Sequence, residues 1–143
     1  PMAEFVARCH CSLVRGKFRC SSRQITAVEC NCSDCHMRQN THLIIPSNDF
    51  ALDMKLPLEE STTLYQWGTK TARRRFCKTC GILPWYSPRS NPDGVAITIH
   101  CVDWTNNATI SPPRIKIMTF DGQHWEETMD ANKDEMVRMS SKP

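Results

Sequence analysis

Apolar and polar residues alternate over short stretches along most of the chain, and turn-forming residues separate these stretches. Alternation with a period of two is typical of strands that bury one face. The pattern therefore predicts ten short strands. They fall at residues 4–9, 12–19, 24–30, 42–45, 48–52, 62–67, 71–76, 82–86, 95–102 and 114–120.

Helical patterns are few. One short helix is predicted over residues 35–40, with Ser33 or Asp34 as its N-cap, and another over 121–130, capped by Asp121. The polar composition of residues 131–143 predicts a mobile tail. We therefore expect a mainly β fold in one domain, residues 3–130, followed by the tail, because no repeat or linker divides the chain.

No apolar run approaches the roughly 20 residues that a membrane helix needs, and the first residues lack the apolar core of a signal peptide. These features predict no membrane partner and a cytoplasmic protein, with the nucleus as the second compartment considered. Nine cysteines in such a chain favour thiolate or metal chemistry over disulfides, because the cytosol keeps thiols reduced. The formal charge of +3 would be cancelled by seven thiolates on two divalent ions, so it predicts no anionic partner.

Three cysteines lie within six residues, at Cys30, Cys32 and Cys35. Structural zinc sites usually have four protein ligands, whereas catalytic sites keep three and leave a position open. The cluster supplies three thiols and thus predicts an open site. Two alternatives remain: a group of buried thiols without metal, and a closed site whose fourth ligand comes from elsewhere, including the flanking His36 or His42.

A second metal signal is the pair Cys77 and Cys80, spaced C-x-x-C and followed by Gly81. This spacing lets a tight turn aim two thiolates at one ion. Cys9 and Cys11 are the natural partners, since residues two apart on a strand point to the same side. The competing arrangement pairs Cys77 and Cys80 with two thiols of the 30–35 group. In the preferred arrangement Cys20 and Cys101 are left as ordinary buried side chains.

These three thiol motifs, in this order, are followed by the loop 87–94 and by the sequence His-Cys-Val-Asp at 100–103. The whole pattern resembles the glutathione-dependent formaldehyde-activating enzyme family, which includes the centromere protein V-like proteins. The resemblance implies a tent-like β fold with two zinc ions. It also implies a structural zinc bound by Cys9, Cys11, Cys77 and Cys80, and a catalytic zinc bound by Cys30, Cys32 and Cys35.

The activity that the resemblance implies is the joining of glutathione to formaldehyde, giving S-hydroxymethylglutathione, by an enzyme of the carbon–sulfur lyase class. Glutathione, or a similar small thiol, is then the expected co-substrate. Its two carboxylates predict cations at the pocket, with Arg89 as the first choice and Arg73 and Arg75, on the face opposite Arg74, as the second. His100 is a candidate proton shuttle from the strand 95–102.

A rival prediction is a non-catalytic module in which both metals serve folding. The basic run 70–75 and the four tryptophans would then contact nucleic acid, microtubules or another acidic surface. The centromere protein V-like branch is associated with chromosomes and microtubules. This chain lacks the long basic or proline-rich extension expected of such members, which favours the enzyme.

Overall fold

A computed structural model describes residues 1–105 and 111–141. Its ten strands are β1 (Met2–Arg8), β2 (Arg15–Ser21), β3 (Gln24–Cys30), β4 (Thr41–Pro46), β5 (Phe50–Leu52), β6 (Thr62–Tyr65), β7 (Arg73–Cys77), β8 (Trp85–Ser87), β9 (Gly94–Thr98) and β10 (Arg114–Phe120). Its α-helices are α1 (Ser33–Arg38), α2 (Leu58–Ser61) and α3 (Trp125–Ser140). Single 3₁₀ turns lie at Ser47–Asp49, Ile99–Cys101 and Gly122–His124.

The strands form two sheets. The larger has the order β10-β3-β4-β9-β8-β7-β6, and the smaller has the order β1-β2-β5. All paired strands are antiparallel except β3 and β10, whose parallel register sets Phe120 opposite Cys30. The predicted mainly β fold of short, largely antiparallel strands is therefore confirmed.

The central strands of the larger sheet, β4 and β9, are buried on both faces. One face packs against the smaller sheet through side chains that include Phe5, Phe18 and Ile97. The opposite face packs against α3 through Val28, Ile44 and other side chains. Burial on both sides explains why β4 reads as a continuous apolar run rather than an alternating one.

All ten predicted strands occur, and two of them, β3 and β10, have the predicted ends. The prediction for 12–19 starts too early, because the Cys9 amide bonds the Val14 carbonyl at 2.9 Å and closes a turn there. The prediction for 95–102 runs too far, since β9 ends at Thr98 and the chain turns into the 3₁₀ segment that holds His100. α2, which the helical patterns of the sequence did not predict, is a single helical turn.

The predicted mobile tail is wrong over residues 131–140, which continue α3. Its last turn is fixed because the Asn91 side chain donates hydrogen bonds to the Met136 carbonyl at 2.6 Å and to the Ser140 hydroxyl at 2.8 Å. Met136 is buried, and Gly94 lets the helix approach, since a Cβ there would lie 2.8 Å from the Ser140 Cβ. Residues 142 and 143 lie outside the described part of the chain. No described helix is long and apolar enough to cross a membrane.

Candidate metal centres and the adjoining cavity

Four thiols converge where the smaller sheet meets the end of β7. Cys9 and Cys11 follow β1, Cys77 ends β7 and Cys80 follows it, and all four sulfurs lie within 4.8 Å of one another. The Cys9 and Cys11 sulfurs are 3.6 Å apart, as are those of Cys11 and Cys77. Tetrahedral zinc–sulfur bonds place sulfurs about 3.8 Å apart. This four-sulfur cluster therefore fits one tetrahedral ion.

The local backbone of the four-sulfur cluster is that of a metal knuckle. The Cys77 sulfur lies 3.4 Å from the Thr79 amide and 3.5 Å from the Cys80 amide, which act as hydrogen-bond donors. Gly81 has φ of 78°, a conformation that glycine adopts without strain. Amide hydrogen bonds stabilise a thiolate in the way that a bound cation does.

Three more thiols form a separate cluster at the end of β3. Cys30 is the last residue of that strand, Cys32 caps α1 and Cys35 lies in its first turn, and their sulfurs lie within 4.8 Å of one another. The predicted caps, Ser33 and Asp34, are wrong, because the Cys32 sulfur accepts the hydrogen bond from the Cys35 amide at 3.4 Å. An amide at the start of this helix thus donates to a thiol of the three-sulfur cluster.

The structure separates the seven cysteines into these two clusters, so the competing arrangement that mixes them is not the one found. Cys20 is buried in the core and Cys101 is half-buried, and neither belongs to a cluster. Among the described residues, no histidine, carboxylate or further cysteine completes the three-sulfur cluster. His36 is exposed. The cluster can therefore hold an ion while leaving a coordination position for an outside ligand.

His42 lies near the three-sulfur cluster but does not join it. Burial lowers the pKa of this histidine to about 4, so the ring is neutral at pH 7. Its Nε2 lies 3.4 Å from the Tyr86 hydroxyl, and its Nδ1 is buried with no hydrogen-bond partner in the described residues.

The pKa values of the three thiols in this cluster depend on one another. Hydrogen bonds from Cys30, and then from Cys35, lower the pKa of Cys32 to about 2, and the positive charge of Arg74 contributes. The same contact with Cys32 raises the pKa of Cys30. The cluster therefore favours a thiolate form, which suits a donor set for a cation.

Gly122 lets the chain pass directly over the three-sulfur cluster. A Cβ at this position would lie 2.4 Å from the Cys30 sulfur and 2.9 Å from the Cys32 Cβ. Any other residue would collide with the cluster. The sequence reasoning missed this role, because only the parallel pairing of β10 with β3 brings the two segments together.

A cavity of about 260 Å³ opens beside the three-sulfur cluster, whose cysteines all line it. Trp67, Arg74 and Tyr86 line the cavity as well, and Arg89 and Trp125 border it from the loop after β8 and the start of α3. The cavity thus joins the potential metal centre to polar, cationic and aromatic groups, which is the composition of a small-molecule site.

Of the predicted cations, Arg89 lines the cavity and Arg73 and Arg75 do not. The predicted alternation along β7 is correct, but the face predicted to border the pocket is not. Arg74 points inward and is 6% exposed, whereas Arg73 is exposed and Arg75 is half-buried. His100 is exposed and is not among the cavity residues, so its position gives the predicted proton-shuttle role no geometric support.

Arg74 is held by a carboxylate from within the three-cysteine motif. Its Nε lies 3.2 Å from Asp34 Oδ2, which also accepts a hydrogen bond from the Trp67 indole at 2.9 Å. Arg38 forms an ion pair with the other oxygen of Asp34. The motif therefore supplies the thiols and also the anchor for a buried guanidinium, a role that spacing alone did not reveal.

The fold and the two clusters define a small, mainly β protein with one four-sulfur and one three-sulfur potential metal centre. The chain belongs to the glutathione-dependent formaldehyde-activating enzyme family, whose model matches residues 4–120. It is also similar to a crystal structure of a Rhodobacter sphaeroides protein, with 27% sequence identity and a TM-score of 0.59. That match covers 78% of this chain and 99% of the other.

Proposed function

We propose that this protein is a zinc-dependent carbon–sulfur lyase that joins glutathione, or a similar thiol, to formaldehyde or another small electrophile. The expected product with formaldehyde is S-hydroxymethylglutathione. The observation that carries the proposal is the three-sulfur cluster on the wall of a cavity, without a fourth ligand among the described residues. Family membership supports the same reaction.

The sulfur-only donor sets fit zinc in both clusters. In this proposal Cys9, Cys11, Cys77 and Cys80 hold the structural ion, and Cys30, Cys32 and Cys35 hold the catalytic one. Zinc at the second cluster would bind the incoming thiol and lower its pKa. The protein's own contribution is to hold thiol and aldehyde together in the cavity, which replaces a bimolecular encounter by a local one.

Tyr86 is the residue best placed to assist the addition. The sulfur adds to the carbonyl carbon, the π electrons move to the carbonyl oxygen, and the proton released by the thiol ends on that oxygen. Tyr86 lines the cavity together with Cys35, and its hydroxyl is the proposed hydrogen-bond donor for a developing oxyanion. The neutral His42 ring lies 3.4 Å from this hydroxyl and can donate its Nε2–H to the hydroxyl oxygen, which leaves the tyrosine proton for the oxyanion.

Arg89 is proposed to bind a carboxylate of glutathione. Its guanidinium stacks 3.7 Å above the Trp125 ring, which fixes its plane, and it pairs with Glu126 at 3.1 Å. The Glu126 side chain is 76% exposed, so a substrate carboxylate can replace it. Arg89→Ala should weaken glutathione binding, whereas Arg73→Ala, exposed and outside the cavity, should not. Unchanged affinity in Arg89→Ala would show that this assignment is wrong.

The reaction itself is tested by mixing zinc-loaded protein with glutathione and formaldehyde and following S-hydroxymethylglutathione by NMR exchange. We expect the protein to accelerate formation and breakdown equally, as a catalyst must. Cys35→Ser should abolish the acceleration, and Cys20→Ser, which changes a thiol outside both clusters, should retain it. A wild-type rate equal to that without protein would refute the proposed activity.

The binding-module alternative gains little from the structure. Arg74 is buried, which interrupts the basic run expected to meet nucleic acid or microtubules. Trp85 and Trp104 pack in the core, and Trp67 and Trp125 line the cavity. A salt-dependent pull-down compared with the NMR assay separates the two functions.

A further inference from the structure

Arg74 is a buried cation beside the three-sulfur cluster, and its ion pair with Asp34 neutralises only part of its positive charge. The side chains of Arg74 and Asp34 are 8% and 6% exposed. Asp34 is shared, because Arg38 occupies its other oxygen and the Trp67 indole donates to the oxygen that faces Arg74. Two guanidinium groups therefore surround one carboxylate, which leaves an excess positive charge at this wall.

The Arg74 guanidinium places this excess positive charge on the cavity wall that also carries the cysteines. Arg74 contacts Asp34 through Nε, and a guanidinium has five N–H donors, so most of its donors remain for other groups. Arg74 and the three cysteines of the cluster line the same cavity. The guanidinium carbon also lies 4.6 Å from the centre of the Tyr86 ring, a cation–π contact that fixes its height in the cavity wall.

A cation at this place would offset the negative charge that the proposed function adds to the three-sulfur cluster. Three thiolates on a divalent ion carry a net charge of −1, and a fourth thiolate from the substrate would make it −2. Val28, Phe120 and Met136 line the same cavity, so the added charge enters a partly apolar space. Burying such a charge without a counter-charge is costly, whereas a fixed guanidinium offsets it.

We propose that Arg74, held by Asp34, is the positioning residue that supplies the counter-charge for the substrate thiolate. This role rests on the proposed function, because it assumes that a thiol enters the cavity. It makes the site selective for ligands that bind through anionic sulfur over thioethers of the same size and charge. Arg89 then binds a carboxylate of the substrate at the rim of the cavity, and Arg74 offsets the charge of the substrate sulfur.

The test compares glutathione with S-methylglutathione, which keeps both carboxylates but cannot form a thiolate. The protein is loaded with cobalt, and binding is measured by calorimetry and by the sulfur-to-cobalt charge-transfer band. The variants are Arg74→Met, Arg74→Lys and the control Arg73→Met, whose residue is exposed on the same strand. Cobalt content and thermal unfolding are measured for each variant.

Wild-type protein should bind glutathione and strengthen the charge-transfer band. Arg74→Met should keep its cobalt, lose about ten- to hundredfold in glutathione affinity and keep its affinity for S-methylglutathione, since a hydrogen bond to a charged group is removed. Arg74→Lys should restore most of the preference for glutathione, because the charge returns. Arg73→Met should resemble the wild type.

Equal losses for the two ligands in Arg74→Met would overturn the proposal, because Arg74 would then bind a carboxylate or merely shape the cavity. Unchanged glutathione affinity would overturn it as well. If Arg74→Met cannot hold cobalt, Arg74→Lys decides: a cobalt-loaded lysine variant without preference for glutathione refutes the charge argument. A wild-type protein that binds neither ligand refutes the proposed function and this role with it, whereas the preceding outcomes leave the proposed function intact.

Discussion

Replacing Gly122 by alanine should disrupt the three-sulfur cluster while leaving the fold in place. The new Cβ would lie 2.4 Å from the Cys30 sulfur, 2.9 Å from the Cys32 Cβ and 3.2 Å from the Cys32 amide nitrogen. Ordinary contacts between such atoms are no shorter than about 3.5 Å, so the shortest overlap is roughly 1 Å. The two Cys32 atoms belong to the backbone or adjoin it, and the Cys30 sulfur can move aside only by leaving its place in the cluster.

The magnitude follows from two tolerances. Adding one methyl group to a tightly packed place typically costs about 1–3 kcal/mol of stability, which a folded domain of this size can survive. Metal–ligand distances, however, tolerate only about 0.2 Å of error. A sulfur displaced by several times that amount no longer shares one ion with its two partners. We therefore expect Gly122→Ala to fold and to lose one of two metal equivalents.

The assay is metal content by mass spectrometry, together with the free energy of unfolding. Gly68→Ala is the matched control, because Gly68 lines the same cavity but its added Cβ meets nothing within 4 Å. With φ of 60° at this residue, alanine costs about 1–2 kcal/mol through backbone strain alone. The control should therefore lose similar stability and keep both ions. Two equivalents in Gly122→Ala would refute the claim that the close approach maintains the cluster.

Three further predictions concern stability and metal. Asn91→Ala should lower the free energy of unfolding by about 1–3 kcal/mol, measured in urea, because two buried hydrogen bonds to α3 are lost. Cys77→Ser should lower the melting temperature more than Cys35→Ser, since the four-sulfur cluster ties the two sheets together; the reverse order would contradict this. His42 has a pKa of about 4 when folded and an ordinary value of 6.5, so it stabilises the protein fully above pH 6.5, and this contribution falls as pH drops towards 4. Relative to His42→Phe, the wild type should lose about 3 kcal/mol over that interval, and parallel pH curves would show that the histidine does not titrate there.

The sequence predicted what depends on local spacing. Residues two or three apart are held close by the chain itself, so C-x-C and C-x-x-C aim their thiols together in almost any fold. Alternating runs, and the continuous apolar run of β4, located the strands, because most of them bury at least one face. The ends of β3 and β10 were predicted correctly, since turn residues or a cysteine cluster bound them.

The second half of helix α3, residues 131–140, was missed because its determinants are distant. Its composition is polar, and only Met136 and Ser140 are buried in it. What holds its second half is Asn91, which satisfies a carbonyl and a hydroxyl of the helix from a loop more than forty residues earlier. The pattern of apolar and polar residues within 131–140 therefore could not predict this contact.

The burial of Arg74 at the site could likewise not be predicted from the local sequence pattern. Alternation established that Arg74 lies opposite Arg73 and Arg75, but a strand has two faces and the pattern does not say which one is buried. A cation is ordinarily placed outside, because burying its charge is costly. Here Asp34 offsets that cost, and it reaches Arg74 only because α1 and β7 lie together in the folded chain. Local spacing brought together the thiols within each motif, whereas long-range packing decided which motifs share a cluster and which cation faces one of them. The physical reason is that only a distant carboxylate offsets the cost of burying that cation.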